Sequence, residues 1–151
     1  MIDREETRLV PYPAGLMYAV VADVERYPEF LPWVLALRVL KREEGRMVAE
    51  MMVGYGGLRE RYTSEVSLDP AGRTIDVTQV KGPFKCLENH WRFTPKGEGC
   101  EIAFRIRFEF ASKLLAKVAG AAFEKAMCKM TEAFEARARA LSQLAGESKK
   151  D

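Results

Sequence analysis

Followed from the N-terminus, the spacing of apolar residues changes twice. After a short strand expected near Thr7 to Pro11, Leu16, Met17, Val20 and Val21 recur at helical spacing, which predicts a helix over Ala14 to Ala22. Beyond Trp33 the chain becomes a series of short runs: "VLALRVLK", "RMVAEMMVGY", "LRERYTSEVSL", "TIDVTQVKG", "CLENHWRFTP" and "CEIAFRIRFEF". Glu44-Gly45, Gly56-Gly57, "DPAGR" and "PKGEG" separate them with turn chemistry, so the runs read as an antiparallel meander. From Ser112 the period is helical again, with Leu115, Ala119, Ala122, Phe123, Ala126, Met130, Ala133 and Phe134 on one face. Ser112 suits the N-cap and Gly146 the stop, which predicts one helix on the order of 45 Å long.

One hairpin yields a register by arithmetic. A turn over Pro95 to Cys100 that pairs Phe93 with Ile102 also sets Trp91 opposite Phe104 and Leu87 opposite Phe108, all on one face. The other face then pairs Glu88 with Arg107 and His90 with Arg105. A lone helix of the predicted length needs a partner surface, and the sheet is the only element large enough. The expected architecture is α+β, a curved antiparallel sheet wrapped around a long C-terminal helix.

Between the first helix and the sheet lies "RYPEFLPW", which groups Tyr27, Phe30, Leu31 and Trp33 around Pro28 and Pro32. Two prolines four residues apart exclude a regular helix or strand. The stretch is expected to be a stiff lid over one end of a cavity, since curved sheets tend to enclose such spaces. Met47, Met51, Val53, Tyr55, Tyr62, Val66, Trp91, Phe104, Phe123, Met127 and Met130 read either as plain core or as its lining.

The 151 residues suit a single domain over 1–145 with a short solvated tail, 146–151, "GESKKD". An apolar fraction of 48% and a charged fraction of 30% exclude disordered and membrane-spanning classes. The net charge of +2 gives no electrostatic case for DNA. No apolar run approaches the roughly 18 residues of a spanning helix. The start "MIDREETR" lacks a signal-peptide pattern, so the expected location is the cytoplasm or the inner membrane surface. Cys86, Cys100 and Cys128 have no motif spacing and read as free thiols.

Catalytic and metal motifs are weak. His90 is the only histidine, and on a strand Cys86 lies roughly 13 Å from it, too far to share a metal. Gly54, Gly56 and Gly57 join two strands, without the helix N-terminus that a phosphate loop needs. No nucleophile–base pair stands out, so no enzyme is expected, with a weak acid–base role as the residual alternative. Polar residues at apolar-face positions carry more information. Asn89 falls between Leu87 and Trp91, while Glu60 and Ser64 share parity with Tyr62 and Val66. Asn89, Tyr62 and Glu60 are candidates to meet a head group, the alternatives being backbone bonding for Asn89 and solvent for Glu60.

The blocks "VPYPAGLMYAVVADVERYPEFLPWV", "VGYGGLRERYTSEVSLDP", "GPFKCLENHWRF" and "FEFASKLLAKVAGAAF", in this order, resemble the coenzyme-Q-binding START-like family, within the polyketide cyclase/dehydrase-like superfamily. Gly56 departs from the pattern, where a bulkier residue is expected. The resemblance spans about Leu9 to Leu141. It implies a helix-grip fold around a lipophilic cavity and an isoprenoid quinone, such as ubiquinone, as bound ligand in support of respiration. The family also includes bacterial proteins named for ribosome association, so binding to the large ribosomal subunit is the rival expectation. Tyr27, Phe30, Leu31, Trp33, Met51, Val53, Tyr55, Tyr62, Phe84, Leu87, Asn89, Trp91, Phe104, Phe123, Met127 and Met130 are the expected ligand-binding residues. Arg59, Arg61, Arg105 and Arg107 offer a small basic patch for the rival. Early in the long helix, Leu114, Leu115, Val118, Ala119, Ala121, Ala122 and Phe123 form a wide apolar band flanked by Lys113, Lys117 and Lys125. The band either touches an anionic bilayer or packs on the first helix and the lid.

Overall fold

The computed structural model describes residues 1–55 and 57–150; the side chains of Tyr55, Leu58 and residues 145–150 lie outside the described residues, as does Gly56. Strands β1 (Ile2–Val10), β2 (Val34–Glu43), β3 (Arg46–Tyr55), β4 (Leu58–Asp69), β5 (Thr74–Lys81), β6 (Phe84–Lys96) and β7 (Gly99–Phe110) form one antiparallel sheet. Its order is β1-β7-β6-β5-β4-β3-β2, a meander whose first strand returns to the edge beside the last. Helix α1 (Ala14–Ala22) follows β1, and α2 (Lys113–Cys128) and α3 (Met130–Lys150) close the concave face. The predicted α+β helix-grip architecture is the observed one.

The β6–β7 register agrees with the arithmetic pair for pair, including Phe93 with Ile102, Trp91 with Phe104, Glu88 with Arg107 and His90 with Arg105. Gly45, Gly57 and Gly97 hold φ of 73°, 84° and 60° in the turns, where a side chain is strained. At the β5–β6 turn the Gln79 amide brackets Phe84, donating to its carbonyl at 2.8 Å and accepting from its N–H at 3.2 Å. Gly82 passes beneath: a Cβ there would lie 2.4 Å from both Tyr62 Cβ and Gln79 Oε1.

Four expectations need correction. Strand β1 begins at Ile2 rather than near Thr7. Its inward positions are polar because they meet the flank of the helices: Arg4 reaches Glu124 at 3.4 Å, Arg8 reaches Glu135 at 2.7 Å, and Thr131 donates to Glu6 at 2.7 Å. The long helix is two, broken at Lys129, although Ser112 caps α2 as expected by accepting from the Leu115 N–H at 3.1 Å. The backbone of α3 continues through Gly146 to Lys150, since a glycine permits a helix stop without enforcing one. Finally, Val24–Glu29 is a 3₁₀ helix with Pro28 inside it. It is built from successive turns, with Arg26 N–H on the Asp23 carbonyl and Phe30 N–H on the Tyr27 carbonyl. Pro28 occupies the second position of the latter turn, where no donor is required and its fixed φ is favoured.

Candidate functional site

Under the 3₁₀ segment, between the concave sheet and α2 and α3, lies a cavity in which the space open to a water-sized body is ≈ 80 Å³. The sheet supplies Val34, Leu37, Ala49, Met51, Tyr62, Ser64, Val66, Val77, Leu87, Asn89, Trp91, Phe104 and Ile106. The helices add Phe123, Met127, Met130 and Phe134, and the lid adds Val24, Tyr27, Leu31 and Trp33. Alternation explains the sheet's share. Register places Val66, Val77, Asn89 and Ile106 in one row across four strands, all facing the helices. Half-buried Tyr27, Trp33, Leu37, Met51, Tyr62 and Met130 mark the outward side, whereas Leu31, Val66, Phe123 and Phe134 are fully enclosed.

Twelve of the sixteen expected ligand-binding residues therefore meet at this cavity: Tyr27, Leu31, Trp33, Met51, Tyr62, Leu87, Asn89, Trp91, Phe104, Phe123, Met127 and Met130, joined by Val66 from the wider expected lining. Phe30 does not, because its ring turns to Phe134 at 5.5 Å and lies under the Arg137 guanidinium at 5.1 Å. Val53 is sealed into the core opposite Val34 on the neighbouring strand. Phe84 is absorbed by an aromatic cluster, with centroids 4.9 Å from Phe110 and 5.1 Å from Phe123. Met47 is also core, and the side chain of Tyr55 lies outside the described residues. Val24, Val34, Leu37, Ala49, Val77, Ile106 and Phe134 were missed. For the strand residues parity was the available signal, and for Phe134 it was its place on the inner helical face.

The cavity's polar atoms are few. Trp91 Nε1 donates to Asn89 Oδ1 at 2.9 Å. An indole N–H only donates, so this bond orients the amide and turns its NH₂ away from Trp91. Tyr62 donates to the Met51 sulfur at 3.3 Å, a weak acceptor, and burial pushes its pKa up to about 12. Tyr27 donates to the Val21 carbonyl and its pKa is also raised by burial. Its ring meets Phe134 edge-on at 5.3 Å, so the lid rests on α3 as well as on the cavity. Ser64, only 6% exposed, has an Oγ with no hydrogen-bond partner among the described residues. Glu60 lies off the cavity, opposite Val53.

Other chemistry lies elsewhere. His90 is on the outer face, bonded to Asp76 at 2.6 Å, and no cluster of three or more metal-ligating side chains occurs among the described residues. The three cysteines are free.

A family model described as polyketide cyclase / dehydrase and lipid transport matches residues 10–135, which include the whole cavity wall. The chain belongs to this family. It is similar to a Pseudomonas aeruginosa protein named ribosome association toxin RatA, with 39% identity over 91% of this chain and 95% of the relative. It is also 35% identical, over 91% of its length and 58% of the relative's, to the mitochondrial coenzyme Q-binding protein COQ10 homolog B of Xenopus laevis. The Zhui aromatase/cyclase of a Streptomyces species superposes with a TM-score of 0.79 at 26% identity, covering 91% of this chain and 93% of that one. The family thus includes proteins named for binding and proteins named for catalysis.

Proposed function

We propose that this protein binds a ring-headed lipid of the isoprenoid quinone class in its cavity, without changing it chemically, and presents it to respiratory enzymes. The observation that carries the reading is the wall itself: aromatic and methionine side chains around a few polar atoms, the composition of a small-molecule pocket. The titratable groups on the wall are Tyr27 and Tyr62, both driven upward by burial, so neither offers a base near neutral pH. The similarity to a protein named for coenzyme Q binding supports the same class of guest.

A pocket enclosing a drug-sized guest typically measures about 300–1,000 Å³. The observed space, ≈ 80 Å³, suits a ring rather than an isoprenoid tail. The tail therefore leaves through the side marked by Trp33, Leu37 and Met51. Loading from a bilayer is supported by Leu114 and Val118, which remain 70% and 48% exposed beside Lys113 and Lys117. The main partners of α1 are α3, β6 and β7 rather than α2. Among the described residues, no helix is long and apolar enough to cross a membrane.

The decisive experiment is purification from cells followed by solvent extraction and mass spectrometry of the bound lipid. Near-stoichiometric quinone is expected; a protein that carries no lipid at all would sink the reading.

A second reading, binding to the large ribosomal subunit, is favoured by the similarity to a relative named for ribosome association. Against it, the four outward arginines do not make one patch. Arg59 and Arg61 lie on β4 and Arg105 and Arg107 on β7, three strand spacings or roughly 14 Å apart. Asp3 grips Arg105 at 2.8 and 3.1 Å, and Glu88 meets Arg107 at 3.3 Å. Salt-sensitive co-sedimentation of lipid-free protein with large subunits would favour this second reading.

A further inference from the structure

Ser64 and Asn89 are the only non-aromatic polar side chains on the cavity wall among the described residues. Each is positioned to act on a guest. The Ser64 hydroxyl is buried with no partner among the described residues, a state that costs on the order of 1–3 kcal/mol unless something in the cavity bonds to it. The Asn89 amide is oriented by Trp91 so that its NH₂ is the group left to donate.

We infer that Ser64 and Asn89 are a two-point clamp that selects a ring carrying two opposed oxygens, of the 1,4-dicarbonyl type. The inference rests on the reading that the cavity binds a quinone. Its geometry comes from the register. Asn89 on β6 shares a row with Val77 and Val66, and Ser64 lies two residues from Val66 on β4. Two strand spacings across and one residue pair along put the Ser64 and Asn89 Cα atoms roughly 12 Å apart.

The para oxygens of such a ring lie about 5 Å apart, from C=O bonds of about 1.2 Å on either side of a six-membered ring. Two hydrogen bonds of about 2.9 Å bring the donor-to-donor span to roughly 11 Å. The donor span is close to the separation of the two Cα atoms from which both side chains face the cavity, and Val77, beside the line joining them, offers an apolar bed for the ring face. A single-headed lipid such as a fatty acid or a simple alcohol satisfies one point and leaves the other unpaired. The clamp therefore discriminates by leaving a buried donor without a partner, the most effective means a site has against an analogue lacking one polar group.

The test uses delipidated full-length protein and two probes, 2-decyl-1,4-benzoquinone and decylbenzene, titrated by calorimetry. Wild type is expected to favour the quinone by at least about tenfold, one good hydrogen bond or more. Ser64→Ala is expected to lose about five- to tenfold of that preference while its affinity for decylbenzene is unchanged. Asn89→Leu, checked for folding by its melting temperature because it also frees Trp91 Nε1, is expected to lose a similar factor. If Ser64→Ala retains the full preference, the clamp is wrong and the quinone reading survives. If wild type binds both probes equally, the clamp is wrong and the pocket is a purely apolar one. If wild type binds neither, the quinone reading falls and takes the clamp with it.

Discussion

Replacing Ser64 by alanine should stabilise the lipid-free protein, although most substitutions at buried positions destabilise. The hydroxyl is buried, faces the cavity and has no partner, so the folded state carries its desolvation without return. Removing it should recover about 1–3 kcal/mol. Against this stands the space left by one oxygen, at about 24 cal/mol per Å³ a few tenths of a kcal/mol, and the wall already borders a cavity. The net expectation is about +1 to +2 kcal/mol. For a chain of this size that raises the melting temperature by roughly 2–8 °C. The assay is urea unfolding of delipidated wild type and variant at a common pH, with equal slopes required before midpoints are compared. With saturating 2-decyl-1,4-benzoquinone the gain should shrink or reverse, because ligand stabilises the tighter binder more. A lipid-free Ser64→Ala less stable than wild type by 0.5 kcal/mol or more, a threshold on the order of one weak hydrogen bond, would refute the reasoning. It would mean that the hydroxyl is already bonded.

Gly82→Ala should destabilise by about 1–3 kcal/mol, since the new methyl meets Tyr62 Cβ and Gln79 Oε1 at 2.4 Å and disturbs the bracket on Phe84; chemical denaturation reads this directly. Leu114→Glu with Val118→Glu should abolish co-flotation with anionic vesicles and leave the unfolding free energy within about 0.5 kcal/mol, as both positions are exposed. Arg105 and Arg107 hold the Asp3 carboxyl below its ordinary value of 3.8. Because the folded value is the lower one, the stability it lends is complete above 3.8 and is lost as the pH falls through the folded value. Melting curves of wild type and Asp3→Asn should therefore differ most near neutral pH and converge in acid; a gap that widens on acidification would contradict the assignment.

The sheet was legible because both of its faces are encoded. Trp91 with Phe104 and His90 with Arg105 satisfy opposite faces in one register, and a slip by one residue would bury the charges. The edge strand was not, since Arg4, Glu6 and Arg8 point inward and find Glu124, Thr131 and Glu135 more than a hundred residues away. The break at Lys129 left no mark because lysine is a good helix former and the apolar period runs on across it. Within the site, parity and aromatic content pointed to most of the wall. They could not place Phe84, seven residues from Trp91 and so off its parity: a register irregularity between Phe84 and Cys86 turns it inward, and the crowding of Phe108, Phe110 and Phe123 keeps it from the cavity. Nor could they single out Ser64, whose distinction is a missing partner.

The apolar band of α2 looked too wide for one contact, and helical geometry resolves it into two. Phe123 follows Leu114 by nine residues, as Met127 follows Val118, and nine residues at 3.6 per turn is about half a turn beyond two full ones. Phe123 and Met127 line the cavity, while Leu114 and Val118 stay exposed on the opposite face. One helix thus presents a pocket wall on one side and an uncovered apolar stripe, flanked by Lys113 and Lys117, on the other. If the guest is drawn from a bilayer, the surface that meets the lipid and the wall that encloses its ring belong to one rigid element ending at the Lys129 break. Charging the outer stripe should then impair loading from vesicles while the affinity for a probe added from solution stays that of wild type. A plain core helix, with both faces serving only packing, has no reason to separate the two.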